Sequence, residues 1–494
     1  MTTVESDSGV LAGDPRMLID GELQLTAGGA TFDVINPATE EVAGVATDGT
    51  TDDMARAVDA ARRAFDTTEW SRDVEFRYRC LTQLHSALQR DQERLRRIVV
   101  TEVGCPVGVT WSHVESPIEE VEHWAEFGRS FQYLEDTGLH QTMGTSSRRL
   151  IHYDPVGVVG AITPWNVPFY LNVAETMPAL MAGNTVVLKP AQLTPWAGSE
   201  LGRIVAEETD IPAGVFNVVL SNANEVGAAL SADPRVDMIT FTGSTATGRA
   251  ILAAGASTVK RTLLELGGKS AHVVLDDADL TKALPMAATM ACIMSGQSCV
   301  LPSRILLPRS RYDEGLAILQ ATMEAFPIGD PWDPAVLQGP QISAGQREKV
   351  LGLIADGVAS GARVLTGGGV PPQFERGYYV QPTLLADVDP DSRVAQEEIF
   401  GPVLSVIPYE TEDEAVAIAN NSIYGLSGEV SSADEERALA VAMRLRTGSA
   451  TINGGMYFGL TSPFGGTKQS GLGRRNGAHG FQEYLEIKTL GLPA

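Results

Sequence analysis

The sequence predicts an α/β protein made of two α/β domains, each built around a largely parallel sheet. The chain has 494 residues, and domains of roughly 100–200 residues are usual, so two or three domains are expected. Apolar β-branched runs alternate with helical patterns in two successive series, as in sheets assembled from β-α-β units. No internal repeat or flexible linker separates the series, so we expect the domains to pack closely.

The first 134 residues are predicted to be mainly helical after a loop-rich start. Short apolar runs near Gly21 and Val34 are candidate edge strands. From Thr51 the segment TDDMARAVDAARRAF combines an acidic first turn with apolar residues at helical spacing, which is typical of an amphipathic helix. Further helices are predicted over 81–99 and 118–133.

The alternation of strands and helices begins at VGVVGAITPWN, residues 156–166. The first series predicts strands over 185–188, 215–220 and 238–242, with helices over 197–207, 225–232 and 247–254. The second series starts near Ala271. Its strand candidates are HVVL, RILL and VLSVI, and its helices are predicted over 313–325, 346–360 and 413–419.

Composition disfavours several classes of function. Lys and Arg number 37 and Asp and Glu number 62, which leaves a formal charge of −25 that repels nucleic acid and anionic lipid. The uncharged stretches 155–174 and 283–303 are broken by Pro, Asn, Gln or Gly, so neither predicts a membrane span. Four cysteines are too few for a disulfide framework, and the N-terminal MTTVESDSGV does not resemble a signal peptide. We expect a cytoplasmic protein without nucleic-acid or membrane partners.

The segment MITFTGSTATGRAI is a candidate phosphate site. An apolar run ends at Gly243, and Thr245 to Gly248 can begin a helix whose free N–H groups face an anion. Arg249 and Ala250 stand where a P-loop has Lys and Ser or Thr, so hydrolysis of a nucleoside triphosphate is disfavoured. Taken alone, the segment is equally consistent with an ordinary strand-turn-helix joint.

Cys299, in the polar turn SGQSC, is the candidate nucleophile, because a reactive thiol needs partial access and a lowered pKa. Glu265, in RTLLELGGKS, is a candidate base only if that thiol forms an acyl intermediate that water must release. Each has a structural alternative, since lone cysteines are usually core residues and a glutamate before two glycines can lie on the surface. The other cysteines are predicted to be core residues: Cys80, Cys105 and Cys292.

No metal site is predicted. The seven histidines are scattered, without an HExxH motif or paired CxxC motifs. His152 and His272 lie at or beside predicted strands and are expected to be structural. A cysteine-histidine hydrolase stays open at this point, although no feature singles out a partner for Cys299.

Taken jointly, these segments resemble the aldehyde dehydrogenase superfamily, of the NAD(P)-dependent hydrolytic type, over residues 36–490. The motifs that carry the resemblance stand in order along the chain: PWN (164–166), VVLKPA (186–191), FTGSTATG (241–248), LELGGKS (264–270), GQSC (296–299), EEIFGPV (397–403) and PFGGTKQSGLGR (463–474).

The resemblance implies an oxidoreductase with a catalytic cysteine and a thioester intermediate. Cys299 matches the nucleophile, which attacks an aldehyde to give a thiohemiacetal, and Asn166 with the backbone N–H of Cys299 matches the oxyanion hole. Hydride then passes to the nicotinamide. Glu265 matches the base that activates water against the thioester, and the product is a carboxylic acid.

The cofactor implied is NAD. Lys189 matches a contact to the adenosine ribose and Ser244 a contact to the pyrophosphate. Gln192 stands where the family often has an acidic residue that repels a 2′-phosphate, so NADP is possible as well. The other implied cofactor contacts are Trp165, Gly243, Thr245, Gly248, Leu266, Glu398 and Phe400.

The substrate positions implied are apolar or aromatic, which favours an apolar or aromatic aldehyde over one that bears a carboxylate. These positions are Val167, Tyr170, Leu171, Val300, Phe458 and Phe464. Three alternatives are weighed: a CoA-acylating aldehyde dehydrogenase, which Glu265 disfavours, a thiol esterase or amidase without redox chemistry, and a non-catalytic protein that retains the fold.

The resemblance also implies a domain arrangement. A Rossmann-like NAD(P)-binding domain would comprise 1–133 and 155–265, a Rossmann-like catalytic domain 266–467, and a small β oligomerisation flap 134–154 and 478–494. The segments 146–153 and FQEYLEIKTL are predicted to be the flap's alternating strands. Since exposed strand pairs are unfavourable in a monomer, we expect a homodimer or homotetramer.

Overall fold

The computed structural model describes residues 12–494, and the predicted α/β class is confirmed. The strands, in chain order, are β1 (Met17–Ile19), β2 (Glu22–Gln24), β3 (Thr31–Asn36), β4 (Glu41–Thr47), β5 (Leu134–Thr142), β6 (Thr145–Pro155), β7 (Val158–Ile162), β8 (Thr185–Lys189), β9 (Phe216–Val218), β10 (Met238–Thr242), β11 (Arg261–Glu265), β12 (Ala271–Val274), β13 (Arg304–Pro308), β14 (Arg363–Thr366), β15 (Thr383–Ala386), β16 (Val403–Tyr409), β17 (Gly428–Ser431), β18 (Thr451–Ile452), β19 (Gly471–Leu472) and β20 (Leu485–Pro493).

Helices connect most of the parallel strands, as the alternation in the sequence predicts. They are α1 (Thr51–Thr67), α2 (Val74–Val103), α3 (Glu115–Ser130), α4 (Pro168–Ala182), α5 (Trp196–Glu208), α6 (Asn224–Ala232), α7 (Thr245–Gly255), α8 (Leu280–Cys292), α9 (Tyr312–Glu324), α10 (Ala344–Ala359), α11 (Arg393–Gln396), α12 (Glu412–Asn420), α13 (Glu435–Ala442) and α14 (Gly477–Gln482).

The first large sheet has the order β19-β11-β10-β7-β8-β9-β1-β2. Its five central strands, β11 to β9 in that order, run parallel, whereas β19 and β1 are antiparallel to their neighbours. The candidate edge strands near Gly21 are therefore present as β1 and β2 at one end of this sheet. One continuous apolar core packs around the sheet and its helices.

The second large sheet has the order β14-β15-β16-β13-β12-β17-β18 and is parallel except for β14. Two separate apolar clusters involve this sheet: one contains residues of α10 and α13, and the other residues of α8 and α9. Such continuous burial of strands is usual for parallel sheets, because crossover helices cover them.

Local sequence explains why these helices begin and end where they do. Thr50 caps α1 in a reciprocal capping box with Asp53, and Ser244 caps α7 by accepting from the Thr247 N–H. Gly104 ends α2 in the left-handed conformation, at φ 73°, where a side chain would be strained. The predicted helix over 81–99 is thus the middle of a longer one, α2.

The strands β20, β6 and β5 form a separate antiparallel sheet in that order, and none of them pairs with a described strand of the two large sheets. Strand β20 carries exposed apolar side chains at Ile487, Leu490 and Leu492. The predicted strand FQEYLEIKTL is wrong over its first residues, since α14 continues to Gln482 and the strand begins at Leu485. Phe481 is fully buried among Trp124, Phe127 and Phe131, which holds the helical turn in place.

Within residues 12–494, no helix is both long and apolar enough to cross a bilayer. The same range contains no cluster of three or more His, Cys, Asp or Glu side chains that could hold a metal ion. Residues 1–11 of the predicted first domain lie outside the described residues.

Candidate active site

The candidate site lies where the carboxyl edge of the first large sheet meets loops that enter the second. β11 ends at Glu265, β8 ends at Lys189, and Asn166 follows the end of β7. The carboxyl ends of adjacent parallel strands share one edge, which is the usual ligand site of open α/β sheets. Cys299 comes from the other side, on the loop between α8 and β13.

A strained turn presents Cys299. Met294 and Ser295 have φ angles of 53° and 60°, a region that non-glycine residues rarely adopt and that is found often at functional sites. A neighbouring segment holds the turn in place: the Ser295 hydroxyl donates to the Gly339 carbonyl at 2.6 Å, and the Gln341 amide donates to the Ser295 carbonyl at 2.8 Å. These bonds tie the turn before the thiol to residues 44 and 46 positions beyond Ser295.

Cys299 is half-buried, and its thiol is protonated in the free protein at neutral pH. Burial raises its pKa to about 12, and the nearby carboxyls of Glu398 and Glu265 contribute in the same direction. Backbone N–H groups of Cys299 and Val300 hydrogen-bond the sulfur and favour the thiolate. The expectation of a lowered pKa for this thiol is thus wrong for the free protein, because burial outweighs the backbone hydrogen bonds that favour the thiolate.

Asn166 is buried and donates from its side-chain amide to the Gln297 carbonyl at 2.9 Å. Gln297 lies two residues before Cys299, so this bond ties the end of β7 to the nucleophile loop. Because an amide has two N–H donors, the contact orients Asn166 and leaves a second donor for an oxygen bound at the thiol.

Glu265 is 3% exposed, and neither of its carboxyl oxygens has a hydrogen-bond partner among residues 12–494. Burial raises its pKa well above the usual range, with a smaller opposing contribution from Arg474. A Cβ atom at Gly465 would lie 2.8 Å from Glu265 Oε1. This glycine therefore lets the chain pass against the carboxyl, which is poised to accept a proton or to bind water.

The candidate phosphate site has the predicted form, with Gly243 and Ser244 between β10 and α7. A Cβ atom at Gly248 would lie 2.6 Å from the Leu266 side chain, so this glycine lets α7 pack against the chain after β11. The Thr245 hydroxyl donates to the Gln469 carbonyl at 3.1 Å. These contacts fix the start of α7 at the sheet edge, where the free N–H groups of its first turn favour an anion.

Lys189 lies farther along the same edge. Its ammonium group donates to the carbonyls of Ser221 and Pro190 at 3.2 and 3.3 Å. Burial lowers the pKa of Lys189 to about 8, and the carboxylate of Asp48 opposes that shift. Gln192 is half-buried beyond the end of β8, so this end of the edge offers one cation and one neutral amide.

Glu398 and Phe400 stand on the loop before β16. Glu398 accepts from the Gly268 N–H at 2.9 Å, and Phe400 has a φ of 60°. The Phe400 ring meets Trp165 edge-on, with centroids 5.3 Å apart. These contacts place both residues beside the ends of β7 and β11, which brings the predicted cofactor residues of both sheets together.

The sequence analysis did not identify two residues that contribute to this loop. Gln346, on α10, donates to the carbonyls of Ile399 and Phe400 at 3.2 and 2.8 Å. Lys349, one turn later, lies close enough to Glu398 to lower the pKa of that carboxyl, although burial raises it overall. Neither residue falls in a motif, and only their spacing of three on one helix face could have suggested a pair.

The predicted substrate positions form an aromatic wall on the nucleophile side of the site. Phe458 lies 6.2 Å from Tyr170 and 5.3 Å from Phe464, measured between ring centroids. Leu171 is buried, whereas Val167 and Val300 are half-buried. A carboxyl residue absent from that set, Glu120 of α3, also reaches the wall, where it lies close enough to the Tyr170 hydroxyl for the two groups to affect each other's pKa.

Comparisons with known proteins agree with this geometry. The model of the aldehyde dehydrogenase family matches residues 25–490. A 3-succinoylsemialdehyde-pyridine dehydrogenase of Pseudomonas sp. is 43% identical over 96% of this chain and 97% of its own length. A geranial dehydrogenase of Castellaniella defragrans is 41% identical over 92% of this chain and 94% of its own.

Solved structures show the same architecture. An aldehyde dehydrogenase of Mycobacterium tuberculosis complexed with NAD+ has a TM-score of 0.93 and 40% identity, covering 97% of this chain and 98% of its own. A cysteine-to-alanine mutant of aldehyde dehydrogenase C from Pseudomonas syringae, complexed with NAD+ and octanal, has a TM-score of 0.91 and 38% identity, covering 97% and 96%.

Proposed function

Since the chain belongs to the aldehyde dehydrogenase family, we propose that it oxidises aldehydes to carboxylic acids through a covalent intermediate on Cys299. The enzyme uses NAD as its oxidant, as the NAD+ complexes of related structures indicate. The observation that carries the proposed chemistry is the convergence of the Cys299 loop, the Asn166 amide and the unpartnered Glu265 carboxyl at one sheet edge.

The first step is attack of the Cys299 sulfur on the aldehyde carbon. The thiol must give up its proton to water for this attack, because its pKa of about 12 keeps it protonated at neutral pH. The free N–H of Asn166 and the backbone N–H of Cys299 then stabilise the oxygen of the thiohemiacetal. In other enzymes, removing one such donor costs about 10²–10³ in turnover.

Glu265 activates water in the last step. In its ionised form, a buried carboxyl with a raised pKa is a stronger base than an exposed one, and both of its oxygens are available to a water molecule. That water attacks the thioester carbon, the sulfur leaves, and the product is a carboxylic acid. The position of Gly465 against Oε1 keeps the carboxyl directed into the site.

The residues at the sheet edge fit a dinucleotide. The α7 N-terminus at Ser244 suits a pyrophosphate, and Gly248 lets this helix pack against Leu266. Lys189 and Gln192 would contact the adenosine ribose, and Glu398 and Phe400 the nicotinamide riboside. When bound, the nicotinamide accepts the hydride of the thiohemiacetal. Trp165, Gly243, Thr245 and Leu266 complete the proposed contacts.

We propose an apolar or aromatic aldehyde as substrate. The support is the aromatic wall of Tyr170, Phe458 and Phe464, together with Val167, Leu171 and Val300 around it. Two relatives are named for such substrates: the geranial dehydrogenase for an apolar aldehyde, and the 3-succinoylsemialdehyde-pyridine dehydrogenase for an aldehyde with an aromatic ring.

A comparison of the wild type with Cys299→Ala tests the function. NADH formation from an aldehyde by the wild type and its complete loss in the variant are expected, because no thiohemiacetal forms without the sulfur. Ester hydrolysis with no NADH from any aldehyde would identify a thiol esterase. Acyl-CoA formation that requires CoA would identify a CoA-acylating enzyme. Either result would overturn the proposal.

We further propose a cytoplasmic homodimer or homotetramer that associates through residues 134–154 and 478–494. The exposed apolar residues of β20 support this, since an exposed edge strand favours pairing with another chain. The domain boundaries 1–133 with 155–265, and 266–467, remain predictions. Sedimentation at micromolar concentration tests the assembly, and a stable 52.5 kDa species would contradict it.

A further inference from the structure

A carboxyl group that the proposed reaction does not use lies behind the aromatic wall. Glu120, on α3, is 1% exposed, and its carboxyl lies close enough to the Tyr170 hydroxyl on α4 for each group to affect the pKa of the other. Its Oε2 atom has no hydrogen-bond partner among residues 12–494. Buried polar atoms are nearly always paired, so an unpaired one needs a specific explanation.

Tyr170 connects this carboxyl to the reacting centre. Its ring lies against Phe458, 6.2 Å between centroids, and its hydroxyl lies close enough to Cys299 for a thiolate there to raise the pKa of Tyr170. The pair of Glu120 and Tyr170 therefore faces the side of the site where an aldehyde bound at Cys299 would extend.

Glu120 and Tyr170 keep one hydrogen-bond donor that their own pairing does not use. Glu120 is buried and has no ion-pair partner among residues 12–494, and burial raises its pKa to about 8, so the neutral acid predominates at pH 7. An acid and a phenol hold two O–H donors, and a hydrogen bond between them would use only one. The neighbouring guanidinium of Arg475 cannot serve as an acceptor, and it is already paired with Glu175. One donor therefore remains for a group that enters from the channel.

We propose that Glu120 and Tyr170 select aldehydes that carry a hydrogen-bond acceptor, such as a ketone oxygen or a ring nitrogen, remote from the reacting carbonyl. This inference rests on the proposed function and narrows its substrate class. An analogue without the acceptor leaves the buried donor unpaired, and sites built to bind a polar group reject such analogues strongly. A cationic aldehyde is disfavoured, because the neutral acid carries no charge to attract it and Arg475 lies close by.

Two aldehydes of matched shape test the inference: 4-oxo-4-phenylbutanal, which has a ketone, and 4-phenylbutanal, which has a methylene in its place. We expect the ratio of their kcat/KM values to favour the ketone by about tenfold or more in the wild type, as one hydrogen bond predicts. Tyr170→Phe and Glu120→Met should each reduce the ratio by at least about threefold.

An exposed glutamate-tyrosine pair on the protein provides the matched control. Tyr78 lies on α2, and Glu126 lies on the solvent side of α3. The Tyr78 hydroxyl donates to the Glu126 carboxyl at 2.6 Å. Tyr78→Phe and Glu126→Met make the same chemical changes away from the site, and they should leave the ratio at its wild-type value.

The outcomes separate the inference from the proposed function. Oxidation of both aldehydes with a ratio near one overturns the inference and leaves the function intact. Preference for betaine aldehyde over both, lost in Glu120→Met, also overturns it, because Glu120 would then act as a carboxylate for cations. Absence of NADH formation from every aldehyde overturns the proposed function and the inference with it.

Discussion

Replacing Glu265 by glutamine should separate the two halves of the reaction. The change keeps the shape of the side chain, which the close approach of Gly465 requires, but removes its ability to take a proton. Thiohemiacetal formation and hydride transfer do not need this base, so the first turnover should still occur. The thioester then waits for unassisted water.

The structure sets the size of the effect. Neither oxygen of Glu265 has a partner among the described residues, so the substitution breaks no existing hydrogen bond. We therefore expect the variant to fold, so that a loss of activity reports the missing base. Loss of a general base costs about 10²–10⁴ in rate, which corresponds to about 3–5 kcal/mol of activation free energy.

Rapid-mixing measurement of NADH absorbance is the assay. Glu265→Gln should give a burst of up to one NADH per active site, followed by a steady rate lower than that of the wild type by that factor. Excess CoA should neither restore the steady rate nor yield acyl-CoA. An undiminished steady rate of acid formation, under conditions where deacylation limits turnover, would refute the role of Glu265.

Three further predictions concern the thiol, a buried ion pair and the cofactor. Without NAD, alkylation of Cys299 by iodoacetamide should accelerate about tenfold per pH unit from pH 7 to 9, because the thiolate fraction rises with pH until the pKa of about 12. A plateau near pH 7, in peptide mapping of the alkylated site, would contradict this. Glu175→Gln leaves Arg475 without the charge of its fully buried partner and should cost about 3–5 kcal/mol of unfolding free energy. As a control, Glu265→Gln should cost less than about 1 kcal/mol. Equal denaturation midpoints for the two variants would contradict this prediction. We expect the wild type to prefer NAD modestly and to use NADP detectably. Gln192→Glu should raise the NAD preference in kcat/KM about tenfold by repelling the 2′-phosphate. Activity of the wild type with NADP alone would reverse the cofactor assignment.

Much of the fold could be predicted from short segments of sequence. The acidic first turn and the spacing of apolar residues mark α1, and the run before Gly243 marks β10 with its following helix. These features depend on propensities and caps that act over a few residues, which any single sequence carries. The bounds differ where tertiary contacts decide them, as at Phe481, whose burial extends α14 into a predicted strand.

The candidate site divides in the same way. Cys299, Glu265 and Asn166 could be named from the sequence because each stands in a recognisable motif. Their electrostatic state could not, because the pKa of Cys299 rises through burial and through Glu398, a residue 99 positions away. The sequence alone predicts a lowered pKa for a thiol in a polar turn, and tertiary packing reverses it.

Glu120 shows the limit most clearly. The sequence alone determined that it lies on a helix, which is predicted over 118–133. Only the packing of α3 on α4 determined that its carboxyl is buried, meets Tyr170 and keeps one oxygen unpaired. Helical periodicity is a local property of the chain, whereas burial, hydrogen-bond pairing and charge state depend on which distant segments close over a residue.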